Sequence, residues 1–253
     1  MRTKLFFLAF IFLAFVVLVF SQEQKSLIAQ GDELYAQRLD LAKAKEALVK
    51  YQEALLTGEN KYETYWKMAR VEYWIGDKTE NNKEKQAIFQ QGIYHAKKAV
   101  EVEPNKVDGH FWLGVNYGVY GEAKGVLKSL FLVKPIKQEM NKVLELDRNY
   151  ESGGADRVLG RVYFKLPGFA GGDKKKSLEH LLKSKELGPK DGLTRIYLAD
   201  TYLALDQVEK AREELEYVLN MEPEPNDPSS IAELPGQKED AKKMLEKKEF
   251  RKK

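Results

Sequence analysis

The chain has 253 residues, 42 of them basic and 39 acidic, for a formal net charge of +3. So near a balance gives no electrostatic reason to expect nucleic acid as the main partner. A hydrophobic share of 43% with only 8 prolines argues against long disorder, and the absence of cysteine excludes a disulfide framework, a thiolate metal site and a lipid-bearing N-terminal Cys.

At the start of the chain, Arg2 and Lys4 precede an apolar run from Leu5 to Phe20, closed by Ser21. This is the layout of a secretory signal peptide, with export and cleavage after Ser21 as the expectation. The run falls short of the roughly 20 apolar residues that span a bilayer, and an uncleaved N-terminal anchor is the alternative.

Helix pairs follow. Gly31, Leu34, Ala47, Tyr51 and Ala54 mark a first unit, and Trp66, Ala69, Tyr73, Ala96, Ala99 and Pro104 a second. Gly114, Tyr117 and Val143 mark a third; Gly160, Tyr163, Leu181 and Pro189 a fourth. The unit from Gly192 to Pro223 fits a tetratricopeptide (TPR) period of about 34 residues without a gap. In it Leu198, Ala199 and Tyr202 face Ala211, Leu215 and Val218, with the small residues allowing close approach of the two helices. Second helices end on recurring segments, Val102-Glu103-Pro104, Leu146-Asp147-Arg148, Leu187-Gly188-Pro189 and Met221-Glu222-Pro223, three of which close on a residue that cannot continue a helix.

The expected fold is therefore all-α: a TPR-like α/α superhelix, or solenoid, of about five helix pairs over residues 22–223. Residues 1–21 are the signal or anchor, and residues 224–253 a linker and a final helix from about Pro235 to Lys253. Three stretches read as insertions between paired helices: polar Asp77–Lys85, Gly121–Leu132 with a short buried helical segment, and Pro167–Asp173. Such insertions map to one edge of a solenoid, often the edge that carries function.

Catalytic signals are poor. His95, His110 and His180 are the only histidines, and none is paired at metal-ligand spacing. His95 and His180 are expected on surface faces of second helices, and His110 near a repeat junction. Gly168-Phe169-Ala170-Gly171-Gly172-Asp173-Lys174 has a superficial likeness to a phosphate loop, but Asp173 stands where glycine is needed and a helix precedes it. The simpler reading makes the glycines a turn and Asp173 the cap of the next helix. Neither an enzyme, nor a metal, nor a cofactor is expected.

The first helix of each pair should line the concave groove. With Trp66, Gly114 and Gly160 setting the register, groove positions are Lys67, Val71 and Trp74, then Phe111, Val115 and Gly118, then Arg157, Arg161 and Phe164. Of these, Trp74, Phe111, Val115, Arg157, Arg161 and Phe164 are the candidate site: apolar walls with two arginines one turn apart that can grip a carboxylate. The competing reading has inserted segments covering the aromatics, and Asp200 or nearby glutamates pairing with the arginines.

The run from His110 to Gly118, with Gly153-Gly154-Ala155-Asp156-Arg157, Pro167-Gly168 and Gly171-Gly172-Asp173, resembles the T component associated with tripartite ATP-independent periplasmic (TRAP) transporters. The resemblance covers roughly Tyr65 to Pro223. It implies a periplasmic repeat protein that binds the transporter's solute-binding protein and helps deliver a small organic anion, with Arg157 and the Gly153-Gly154 junction as the positions carried over. Assembly into a homo-oligomer is in keeping with it. The alternative is a structural TPR scaffold for envelope protein assembly or secretion, with a peptide in the groove.

Overall fold

The computed structural model describes residues 25–251; the segment read as an export signal, residues 1–21, lies outside them. Among the described residues there are helices and turns and no strand. The α-helices are α1 (Leu27–Ala36), α2 (Leu41–Thr57), α3 (Lys61–Lys78), α4 (Asn82–Val102), α5 (Val107–Lys124), α6 (Val133–Leu146), α7 (Tyr150–Lys165), α8 (Lys174–Leu187), α9 (Gly192–Leu203), α10 (Val208–Asn220) and α11 (Pro228–Leu245). They stack as five pairs, α1/α2 through α9/α10, with α11 added last, and each helix packs chiefly on its sequence neighbours. This is the TPR-like superhelix that the repeats predict.

Local chemistry sets the helix starts. Asp40, Asn60, Asn81, Asp173, Asp191 and Asp227 each accept a hydrogen bond from a backbone N–H in the first turn of the helix they precede. Each such cap is worth about 1 kcal/mol. Asp173 plays the capping role read from the sequence, accepting from Lys175 and Lys176 at 2.9 and 3.1 Å.

Packing within the first four pairs follows one rule. A glycine on the first helix receives a large side chain from the second: Tyr51 over Gly31, Phe89 over Gly76, Met140 over Gly114 and Leu181 over Gly160. A Cβ on Gly160 would lie 2.6 Å from Leu181 Cγ and 3.2 Å from the Ser177 carbonyl oxygen. The apolar stripes around these contacts form three cores, at the N-terminal, middle and C-terminal repeats.

Four expectations need correction. Asp77–Lys85 is mostly helix: α3 runs to Lys78 and α4 starts at Asn82, capped by Asn81, so the extra residues lengthen both helices. Gly121–Leu132 is not a buried helical insert as a whole. Its Val126–Leu132 part is a 3₁₀ helix, whose three-residue turn puts Ser129 and Leu132 inward and leaves Leu127 and Phe131 exposed. His95 is buried rather than superficial, its Nδ1 2.8 Å from the Glu72 carboxylate. The last helix begins at Pro228, not near Pro235, because proline fits the first helical position after the Asp227 cap.

That last helix crosses from one end of the solenoid to the other. Ala232 belongs to the N-terminal core, with Ile28, Tyr35 and Trp74, while Ala241 and Met244 pack in the C-terminal core. The buried Arg38 donates to Glu233 at 2.9 Å, a contact between residues 195 apart in sequence. Pro235 and Gly236 sit between the two halves of α11.

Gly160→Leu tests the close approach. Overpacking of this kind costs about 1–3 kcal/mol or more, so the thermal midpoint should fall by about 2 °C or more at this chain length. An unchanged melting curve by circular dichroism would disprove the contact.

His110 supplies a pH prediction. Its Nδ1 lies 2.6 Å from Glu139 Oε2 and its Nε2 2.9 Å from the Pro104 carbonyl oxygen. The Glu139 hydrogen bond, with help from Pro104 and against the effect of burial, raises its pKa above the usual value. A raised folded pKa stabilises fully below about pH 6.5 and is lost as pH rises through the folded value. Urea midpoints should therefore fall between about pH 6 and pH 8 more in the wild type than in His110→Gln.

Candidate functional site

The first helices of the third, fourth and fifth pairs, α5, α7 and α9, lie side by side along the concave face. Between them is a chamber of about 180 Å³ lined by Phe111, Trp112, Val115, Val158, Val162 and Tyr197, among others. An apolar cavity of about 150 Å³ accepts benzene, so this one takes a ring or a short aliphatic chain. The 3₁₀ segment supplies Val126, Ser129 and Leu132 to one wall, and Glu233 of α11 stands at another. Ser129 holds that wall by donating its hydroxyl to the Gly121 carbonyl at 2.8 Å.

Charge is confined to a few groups. Arg157 Nη1 is 2.8 Å from Asp191 Oδ2 and donates to the Glu151 carbonyl at 3.3 Å. Arg161 Nη1 is 2.8 Å from Asp200 Oδ2, and its guanidinium stacks 4.2 Å from the centre of the Tyr197 ring. Burial beneath these groups pushes the Tyr197 hydroxyl up to about 12, so it stays a neutral donor. Two buried donors on side chains that line the chamber make no hydrogen bond: the Trp112 indole N–H, and the Arg161 Nε–H, whose nearest carboxylate, Glu122, stands off at 3.8 Å. Unmet buried donors cost energy until an acceptor arrives.

The backbone beside the chamber is strained. Glu151, Ser152 and Gly153 have φ of 49°, 55° and 77°, a left-handed turn that costs a non-glycine residue about 1–2 kcal/mol. It carries the chain into α7 so that Gly154 lies against Phe111, where a Cβ would come within 2.5 Å of the ring. Glu151 ends up lining both the chamber and a more polar cleft of about 720 Å³ beside it, which also shares Arg157 and Glu233.

Of the residues singled out from the sequence, Phe111, Val115, Arg157 and Arg161 line this chamber, as does Gly118. Trp74 does not. It is buried in the N-terminal core, its indole N–H donating to the Arg38 carbonyl at 2.8 Å. Lys67 and Val71 are buried there too, Lys67 in an ion pair with Asp32. Where an open groove was expected, Arg38 lies over the Trp74 ring at 4.9 Å and Ala232 of α11 joins the same core. Phe164 is outside the lining as well, held between the Arg161 guanidinium at 5.3 Å and the Lys174 ammonium at 3.7 Å from its ring. The arginines pair with Asp191 and Asp200, the latter the partner considered from the sequence. Missed altogether were Trp112, Tyr197 and Glu233. Trp112 adjoins the motif used for the register, but Glu233 reaches the site only through the path of α11.

Among the described residues no group of three or more His, Asp or Glu could hold a metal ion. No described helix is long and apolar enough to cross a membrane.

The model of the family described as "Regulator of microtubule dynamics protein 1-3" matches residues 27–165, more than half of the chain. The chain belongs to that family. A search of curated proteins gave no match. Among solved structures, a thermophilic TPR protein of Thermus thermophilus aligns with a TM-score of 0.59 and 18% identity, covering 83% of this chain and 96% of that one. That likeness is one of fold and supports the TPR solenoid. The MamA protein aligns at a TM-score of 0.39 with 22% identity, covering 70% of this chain and 87% of its own, too loosely to carry an argument. The family matched is thus a different one from the TRAP T components that the His110–Gly118 run resembles; what holds is the helical repeat.

Arg157→Ala should lower stability by about 1–3 kcal/mol, because it leaves the half-buried Asp191 carboxylate without its cation, with only Thr194 donating to it. Urea unfolding with an unchanged midpoint would mean that the pair forms no part of the folded state.

Proposed function

We propose that this chain is a TPR scaffold that binds a partner protein on its concave face, and that the chamber between α5, α7 and α9 takes an apolar group bearing a carboxylate or carbonyl. The observation that carries this reading is the coincidence of aromatic and aliphatic walls with two unsatisfied donors, on Trp112 and Arg161. Pockets that select ligands share that design: apolar surface for affinity and a few polar groups for orientation. A TPR array supplies the surrounding surface for an extended or helical segment of the partner. The protein acts by binding and not by catalysis.

A finer reading makes the occupant a free small organic acid and the partner a periplasmic solute-binding protein of a tripartite transporter. Its support is the motif run from His110 to Gly118 and from Gly153 to Asp173, together with the same two donors. Export to the periplasm through the apolar run before Ser21 belongs to this proposal, and recovery of the chain in a periplasmic fraction tests it.

The deciding experiment is a pull-down from envelope extract with residues 22–253 as bait, repeated with Val115→Phe, which fills the chamber, and with Arg161→Ala. The expected result is one protein retained by the wild type and lost by at least about tenfold with Val115→Phe. A solute-binding protein would favour the transport reading, assembly or secretion machinery the scaffold. Retention unaffected by either substitution would remove the chamber from the function.

A further inference from the structure

The C-terminal ends of α5 and α7 emerge at the same edge of the solenoid, and each leads into a segment with exposed apolar tips. Leu127 and Phe131 of the 3₁₀ helix are 66% and 61% exposed, and Phe169 in the turn after α7 is 82% exposed. The two segments are neighbours. Val126 and Leu132 of one share a cavity wall with Lys165 and Leu166 of the other, and Glu122 reaches Lys165 at 3.6 Å. Three large apolar side chains exposed on two adjoining segments are more than the single scattered exposures of ordinary surfaces.

Lysines surround that patch. Residues 121–137 and 165–176 hold eight lysines against Glu122 and Asp173, in a chain whose net charge is +3. The two acids offset little of the rim: Glu122 is shared between Arg161 and Lys165, and Asp173 caps α8. Some lysines of second helices elsewhere are paired one turn on, as Lys43–Glu46, Lys50–Glu53, Lys98–Glu101 and Lys183–Glu186. Lys128, Lys134, Lys175 and Lys176 make no ion pair among the described residues, and Lys124 lies over the Phe131 ring at 5.3 Å. These two segments therefore carry a local excess of positive charge beside exposed apolar tips.

We infer that this edge docks on an anionic membrane surface, with Leu127, Phe131 and Phe169 entering the headgroup boundary and the lysines meeting the lipid phosphates. An acidic peptide would use the lysines but leave the apolar tips in water; a bilayer interface satisfies both. Interfacial binding of this kind adds apolar burial to electrostatic attraction and needs no membrane-spanning helix.

The lack of cysteine makes the test direct. Full-length chains carrying Phe169→Cys, Phe131→Cys or, as a control, Leu56→Cys are labelled with an environment-sensitive dye and mixed with vesicles of phosphatidylcholine or of phosphatidylglycerol. The label at 169 and 131 should shift to the blue on phosphatidylglycerol only, and the label at 56, on the far N-terminal repeat, should not. Adding Lys175→Glu and Lys176→Glu should raise the lipid concentration for half the shift by about tenfold. Any seating of the chain by its Leu5–Phe20 run acts on both vesicle types, so the contrast between lipids and positions isolates the edge. No shift at 169 and 131, an equal shift on neutral vesicles, or an equal shift at 56 overturns the inference. A shift produced instead by soluble polyglutamate would assign the edge to an acidic protein.

Discussion

The solenoid depends on one contact, repeated: a bulky side chain of the second helix resting on bare backbone of the first. Tyr51, Phe89, Met140 and Leu181 each need a glycine opposite, because no Cβ fits beneath them. That approach fixes the spacing of the pair and turns the remaining faces of the first helices towards the inner curve. The chamber follows from it. Met140 on Gly114 and Leu181 on Gly160 seat α6 and α8 behind α5 and α7, so Val115, Val158 and Val162 face inward with nothing of their own pair to cover them.

Between pairs, polar groups take over from packing. Asp108 accepts the hydroxyls of Tyr62 and Tyr150 at 2.8 and 2.9 Å, joining the second, third and fourth units. The buried Asn116 amide donates to the carbonyls of Ala69 and Trp112, linking α5 to α3. Asp156 holds Arg148 and His180, and although burial works against its charge, those hydrogen bonds keep its pKa below the usual carboxylate range. Asp108 and Asp156 each find partners on two sides, whereas Asn116 keeps its Oδ1 unpaired, and Trp112 and Arg161 each keep an N–H without a hydrogen bond. Of these unpaired atoms, those of Trp112 and Arg161 belong to side chains that border the chamber, where a ligand can reach them.

The fold was legible in the sequence because a helix pair is a local object. Gly31, Gly114 and Gly160 were visible as register marks, and the register they set places Phe111, Val115, Arg157 and Arg161 on one cavity. It failed at Trp74 and Phe164 for different reasons. Trp74 has the right phase on α3, but α11 and Arg38 cover that face, and no repeat pattern encodes a helix arriving from some 160 residues away. Phe164 lies near the end of α7, where Lys174 claims its ring. The resemblance to transporter-associated proteins rested on glycine-rich junctions, which many repeat arrays need for the same steric reason; the family model that matches is another one.

The path of α11 changes the mechanics of the whole. An open array of stacked pairs is soft in one direction: small rotations at each joint add up, and the spiral loosens or tightens at little cost. Here a strut ties the first repeat to the last through Arg38 and Glu233, and Ala232 sits in the far core. That fastening opposes the soft mode, and Pro235-Gly236 gives the strut a joint of its own. Because Glu233 also borders the chamber, strain applied at the N-terminal repeat is delivered to its wall. A force on either end is therefore felt at the middle, and the inner curve can widen only where the strut lets go.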